Sequence, residues 1–262
     1  RERTRVADRA GQRPAPGRRL EQGHEDVRAV VGALDAPRGQ RRRVRRRLRA
    51  GQAPQRPAPR GEQLPRLRLD LTGPAPTDLA DLFPRAVGEI WLEIGFGGGE
   101  HLTQRAGENP QVGFIGCEAY VNGTAKMLAQ IEHNDLANIR LWDNDAKSVV
   151  DWLPAGSIAR IYLLYPDPWP KRRHRKRRFL GEEMLTRLAR ILKPGGELRF
   201  ATDIDDYAAY ALARVARSSE FEWTAERQAD WLTPWEGWRS TRYEAKALRE
   251  GRRGAYFTFR RV

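Results

Sequence analysis

Pro166-Asp167-Pro168-Trp169-Pro170 holds one carboxylate and one indole among three prolines. Lys171–Arg178 follows at once, with seven positive charges in eight residues. Proline fixes its own φ and restricts the residue before it. Asp167 and Trp169 therefore have little freedom left to lose on binding a partner. A tryptophan face can stack on a base, an interaction of about 1–3 kcal/mol. The lysines and arginines can neutralise the phosphates around that base. These residue types in this order fit a nucleic-acid base presented to a fixed carboxylate.

A second group of residues lies upstream. Glu93-Ile94-Gly95-Phe96-Gly97-Gly98-Gly99 is an acid followed by a glycine-rich turn, Glu118 comes 19 residues after Gly99, and Asp143 and Asp145 come later. Glycines let a backbone approach a ligand closely. An acid at that distance grips ribose hydroxyls in nucleotide-binding sheets. The ligand is then adenosine-like. The dinucleotide pattern needs a third glycine at position 100, where this chain has Glu100, and a carboxylate there repels a pyrophosphate. S-adenosylmethionine fits better, since it has no phosphate and carries a sulfonium and an ammonium that Glu93 can meet. A glycine loop alone also serves as a plain tight turn. The combination with Glu118 and Asp145 is what points to a methyl donor.

Cys117 lies inside a strand pattern one residue before Glu118, which reads as a buried structural thiol rather than a nucleophile. The histidines His24, His101, His133 and His174 have no ligand spacing, so no metal site is expected.

These residues need a scaffold. Apolar runs at Glu89–Gly95, Val112–Glu118, Asn138–Trp142, Ile158–Tyr165 and Gly196–Asp203 read as strands, with Phe221–Trp223 and Gly254–Val262 after them. Helical patterns follow the glycine turn through Arg105 and cover Tyr120–His133, Phe179–Leu192 and Tyr207–Arg217. The Lys193-Pro194-Gly195-Gly196 run is expected to end the third of these helices. Strand–helix alternation predicts an α/β fold, a parallel sheet covered on both faces. Ligands in such sheets sit beyond the carboxyl ends of the strands, and both groups of residues lie there.

Twelve of the fourteen net positive charges fall in residues 1–60, which hold 18 Lys+Arg against 6 Asp+Glu. Residues 1–62 are rich in Arg, Pro, Gly and Gln and contain no aromatic side chain. They are expected to form a disordered basic arm, with a short helix around Arg41–Arg49. Residues 63–262 form the catalytic domain in this reading. A single cysteine excludes an internal disulfide. No apolar run reaches the roughly 18 residues of a membrane span, and no signal-peptide core is present. The chain reads as cytoplasmic, with a nucleic acid as partner and no membrane.

LEIGFGGGEHL, GCE, NDA, YPDPWPKRRHRKRRF, ATD and TRYE together resemble the tRNA (guanine-N7-)-methyltransferase family, from about Leu64 to Val262. The resemblance implies a class I, Rossmann-like methyltransferase fold: a mostly parallel seven-stranded sheet with helices on both faces and a reversed last strand. It implies methyl transfer from S-adenosylmethionine to N7 of the variable-loop guanosine of tRNA. It places Glu93, Gly95, Gly97, Glu118, Asp145 and Asp167 at the cofactor, with Asp167 also as the catalytic residue. Lys171, Asp203, Thr241, Arg242, Tyr243 and Glu244 are implied at the tRNA. The chain departs from the family pattern before Leu64, and at Ala247, where a glycine is expected. Two other readings stay open at this point. One is an adenine amino-group methyltransferase, since a Pro-Asp-Pro-Trp turn is similar to the Asp/Asn-Pro-Pro-aromatic turn of those enzymes. The other is a non-catalytic RNA-binding protein.

Overall fold

The computed structural model describes residues 63–262. The expected arm over 1–62 and its helix lie outside the described residues. The strands are β1 (Glu89–Ile94), β2 (Val112–Cys117), β3 (Ile139–Trp142), β4 (Ile158–Leu164), β5 (Leu192–Thr202), β6 (Phe221–Trp223) and β7 (Ala255–Arg261). They form one seven-stranded sheet in the order β3-β2-β1-β4-β5-β7-β6. The pairs from β3 through β5 are parallel, and β7 runs antiparallel to both β5 and β6. The mostly parallel α/β sheet and the reversed last strand are therefore present as expected.

The helices are α1 (Gln63–Leu67), α2 (Glu100–Glu108), α3 (Val121–His133), α4 (Ala146–Trp152), α5 (Glu182–Ile191), α6 (Asp205–Val215), α7 (Ala229–Leu232) and α8 (Arg242–Arg249). Successive strand residues point to opposite faces, and both faces are apolar. Leu92, Ile94, Ile161 and Leu163 join the cluster that α4, α5 and α6 cover. Trp91, Tyr162 and Leu164 join the cluster that α2 and α3 cover. Period two then puts Glu93 on the Trp91 face, under α2. This local rule decides the partner of Glu93.

Helix boundaries differ from the sequence reading, and the helix expected over Tyr207–Arg217 spans Asp205–Val215. The helix before the glycine pair starts at Glu182, after Gly181, and ends at Ile191. Lys193-Pro194-Gly195-Gly196 is not a simple stop, because β5 already runs through it. The pairing with β4 shifts register between Ile158 and Arg160 to absorb the irregular stretch. A bulge of this kind tolerates proline and glycine within a ladder. At the β3 edge, Arg68 bridges to Leu141 and the Leu69 amide donates to the Leu141 carbonyl at 2.8 Å, which covers an otherwise open strand edge.

Candidate functional site

The turn from β1 to α2 keeps Gly95, Gly97 and Gly99 at φ 76°, 58° and 85°. This left-handed backbone is the reason for the glycines. The turn is fastened from β2 and α3. Glu118 Oε2 accepts from the Gly97 amide at 2.7 Å, and Oε1 accepts from the Tyr120 amide at 2.8 Å. Gln130 donates to the Gly98 carbonyl at 2.5 Å. Glu118 thus clamps the turn, and a carboxylate still has lone pairs left for hydroxyl donors.

Glu93 is buried and lies 2.6 Å from Nδ1 of His101, which is also buried. His101 packs edge-on against Tyr162, with ring centroids 4.6 Å apart, and tilted against Trp238 at 5.3 Å. Asp145 caps α4 by accepting from the Lys147 amide at 3.1 Å. Glu93 next to last in β1, Glu118 directly after β2 and Asp145 three residues after β3 therefore sit at the carboxyl ends of three hydrogen-bonded strands.

Asp167 leaves β4, whose Leu163 pairs with Ile94 of β1, so the proline turn and the glycine turn leave neighbouring strands. Asp167 is exposed and has no hydrogen bond or ion pair among the described residues. Tyr165 (φ 50°) and Trp169 (φ 42°) flank it in the left-handed region, which is unfavourable for bulky side chains. Such conformations cluster where a surrounding structure holds a functional turn. Trp169 is half-buried, with Arg177 over its ring at 4.9 Å and His174 edge-on at 5.9 Å. Stacking of a base on the covered face requires Arg177 to move aside.

The basic run forms a 3-10 turn over Arg172–Arg177. Lys171, Arg172, Arg173 and Lys176 are exposed, as is Arg177 beside Trp169. Arg175 pairs with Asp206 at 2.6 Å. Arg178 is buried, which corrects the expectation that the whole run from Lys171 faces phosphate. A buried guanidinium cannot reach a polyanion in solvent.

Thr241-Arg242-Tyr243-Glu244 reads as a capping box, and half of one forms. Thr241 accepts from the Glu244 amide at 3.2 Å. The Glu244 carboxylate turns inward instead, accepting from Trp238 at 2.9 Å, from the Tyr165 hydroxyl at 3.2 Å, and from the Tyr256 hydroxyl. Arg242 and Tyr243 lie over the glycine turn, where a Cβ on Gly97 would meet them at 3.0 and 3.1 Å. Asp203 accepts from Arg252 at 2.6 Å. Arg242 and Tyr243 thus join the glycine turn, Thr241 caps their helix, and Glu244 joins the end of β4.

Burial, and then the charges of Asp145 and Glu118, push the Cys117 thiol well above its ordinary range. A thiol held protonated is a poor nucleophile, in keeping with its structural reading.

The residues fit an adenosylated sulfonium. Gly95 leaves open space where a side chain would stand, and acids line the strand ends around it. Such a rim favours a cationic ligand and disfavours a phosphate.

Sequence reasoning missed His101, Tyr165, Trp238, Tyr256 and the inward role of Arg178. No spacing rule links His101 to a strand acid. The alternation of β1 combined with α2 covering that face would have paired it with Glu93.

The family described as "Putative methyltransferase" matches residues 88–256. A tRNA (guanine-N(7)-)-methyltransferase from Rhizobium meliloti is 62% identical over 199 residues, covering 76% of this chain and 86% of the relative. Proteins with the same name from Rhodopseudomonas palustris and Brucella melitensis are each 56% identical. They cover 77% and 75% of this chain, and 80% and 84% of their own lengths.

Proposed function

The chain belongs to the tRNA (guanine-N7-)-methyltransferase family, and we propose that it methylates the variable-loop guanosine of tRNA with Asp167 beside the reacting atoms. Membership sets aside the adenine-amino and non-catalytic readings. S-adenosylmethionine is the methyl donor, and its sulfonium makes the methyl carbon electrophilic. Glu93, Gly95, Gly97, Glu118, Asp145 and Asp167 hold it in this reading.

The observation that carries the role of Asp167 is its carboxylate, unpartnered among the described residues and held between two left-handed residues at the end of β4. Guanine N7 is an acceptor with a lone pair and no proton to remove, so the chain need not supply a strong base. The ring gains positive charge as the new bond forms. A fixed carboxylate at that place stabilises the developing charge, and a stiff turn aligns the partners before reaction. A mobile acid–base pair would add nothing to such a step.

Lys171, Arg172, Arg173 and Lys176 supply the phosphate contacts. Arg242 and Tyr243 close over the glycine turn against the tRNA, with Thr241 starting their helix. Glu244 acts from behind by holding that helix to Tyr165. Asp203, held by Arg252, lies at the end of the adjacent strand β5. No helix among the described residues is long and apolar enough to cross a membrane, and in this reading the enzyme meets its tRNA in the cytoplasm.

The test uses labelled S-adenosylmethionine and unmodified tRNA transcripts, one with the variable-loop guanosine and one with it replaced. Label is expected as 7-methylguanosine in the first alone. Equal labelling of both transcripts would refute the assigned position.

A further inference from the structure

The side chains of Lys171 to Arg178 read as one electrostatic strip, but they do not share one environment. Most of them are exposed, while the Arg178 side chain is 0% exposed. A charge taken out of water is costly unless it is paired and hydrogen-bonded. Arg178 has such partners. Nε donates to the Pro168 carbonyl at 2.8 Å, and one Nη donates to the Asp206 carbonyl oxygen at 3.1 Å. The other Nη meets the Asp206 carboxylate. The guanidinium carbon stands 4.9 Å from the Tyr207 ring centre and 4.7 Å from that of Tyr210.

Pro168 is the residue directly after Asp167, and its carbonyl belongs to the peptide that joins it to Trp169. Trp169 is one of the two left-handed residues of the turn. A conformation of that kind persists only where the surroundings hold it. The bond from Arg178 is such a hold, and through Asp206 it ties the turn to the first turn of α6.

We infer that Arg178 is a positioning residue for the catalytic turn: its guanidinium fixes the Pro168–Trp169 peptide, one residue beyond Asp167, and takes no part in binding phosphate. This rests on the reading of Asp167 given above. Lysine cannot replace arginine here, because a point charge lacks the planar fork that reaches Pro168 and Asp206 together. At a phosphate-binding position, by contrast, lysine serves well.

The experiment compares Arg178→Lys, Arg178→Gln and Asp167→Ala with the parent chain. It measures single-turnover methyl transfer at saturating tRNA and donor, tRNA affinity across salt concentrations, and thermal unfolding. Arg178→Lys is expected to lose at least tenfold in rate with tRNA affinity unchanged. Arg178→Gln is expected to keep the slope of log affinity against log salt. A normal rate for Arg178→Lys would overturn the inference. So would a slope smaller by about 0.7–0.9 for Arg178→Gln, the change expected when one phosphate is no longer neutralised. If neither variant folds, Asp206→Asn loosens the same guanidinium from a half-exposed position, and a normal rate there overturns it equally. Asp167→Ala separates the two readings. If it turns over normally, the catalytic reading of Asp167 fails. If it is inactive while Arg178→Lys is normal, only the role of Arg178 fails.

Discussion

The Tyr165 hydroxyl donates to Glu244 Oε1 across 3.2 Å, joining the residue before the Pro-Asp-Pro turn to the helix that lies over the glycine turn. Trp238 and Tyr256 converge on the same carboxylate. Three donors from three parts of the chain thus meet one buried acceptor. Burial, and then the Glu244 charge, hold the Tyr165 phenol well above its ordinary range, so it stays a donor at any ordinary pH.

Glu244→Gln places an amide NH2 where an accepting oxygen stood. Either that NH2 faces the Trp238 indole N–H, or it faces the two tyrosine hydroxyls, which must turn from donating to accepting. The expected loss is about 1–3 kcal/mol, the range for an unsatisfied buried polar group. Tyr165→Phe removes one donor and keeps the ring, for about 1 kcal/mol. The two residues are the ends of one hydrogen bond, so the double variant should lose less than the sum of the single losses. Denaturant unfolding of the four chains checks this, and strict additivity would show that the two groups are not coupled.

The sheet was legible because its signals are local. Glu89–Ile94 and Val112–Cys117 are short apolar runs closed by glycine or acid, and buried parallel strands need little else. The acids at the strand ends were legible for the same reason, since each lies within three residues of the carboxyl end of its strand. The clamps were not. Glu244 with Tyr165 and Arg178 with Pro168 join residues whose separation in sequence carries no period, and Glu93 meets His101 only once α2 is known to cover that face of β1. Arg178 was the hardest, because composition gives seven cations one meaning and only burial divides them. TRYE carried a true capping signal, yet a capping box and a buried hub use the same glutamate, and packing against Trp238 and Tyr256 decides between them.

Gly123 lies within α3, where alanine is normally better than glycine by about 1 kcal/mol. The opposite sign is expected here. A Cβ at this position would overlap the Gly97 carbonyl oxygen and stand 2.9 Å from Cγ of Glu118. Both belong to the clamp on the glycine turn, and a backbone oxygen cannot swing aside as a flexible side chain would. Gly123→Ala should therefore weaken S-adenosylmethionine binding at least tenfold, or about 1.4 kcal/mol. Titration calorimetry reads this directly, and parent-like affinity would show that the turn can shift without loss.

Replacing Arg172, Arg173 and Lys176 by alanine removes three exposed cations from the turn beside Asp167. Every phosphate left without its cation lowers the slope of log affinity against log salt by about 0.7–0.9. A slope smaller by about 2–3 is then expected from filter binding of tRNA at several salt concentrations. Removing residues 1–60, which hold 18 Lys+Arg, tests the other source of positive charge in the same way. A slope that only the second change lowers would move the RNA-binding surface away from the proline turn.

Stability should fall on the alkaline side, and in an order set by residue type. Cys117, Tyr165 and Tyr207 are all raised in the fold, each chiefly by burial, and Tyr207 is pushed up to about 12. A group raised in the native state contributes fully below its unfolded pKa and loses that contribution as pH climbs toward the folded value. The unfolded thiol ionises near 8.5 and the phenols near 10, each at about 1.4 kcal/mol per pH unit once it has ionised. The decline should begin around pH 9 with Cys117 and steepen beyond about pH 10 as the phenols join. Cys117→Ala removes the thiol and leaves a small cavity whose cost does not depend on pH. Its melting temperature should start lower yet stay level for about one further pH unit before falling. Melting curves from about pH 7 to 11 decide it. If both chains begin to decline at the same pH, the thiol is not held protonated by the fold and its burial does not govern the alkaline limit.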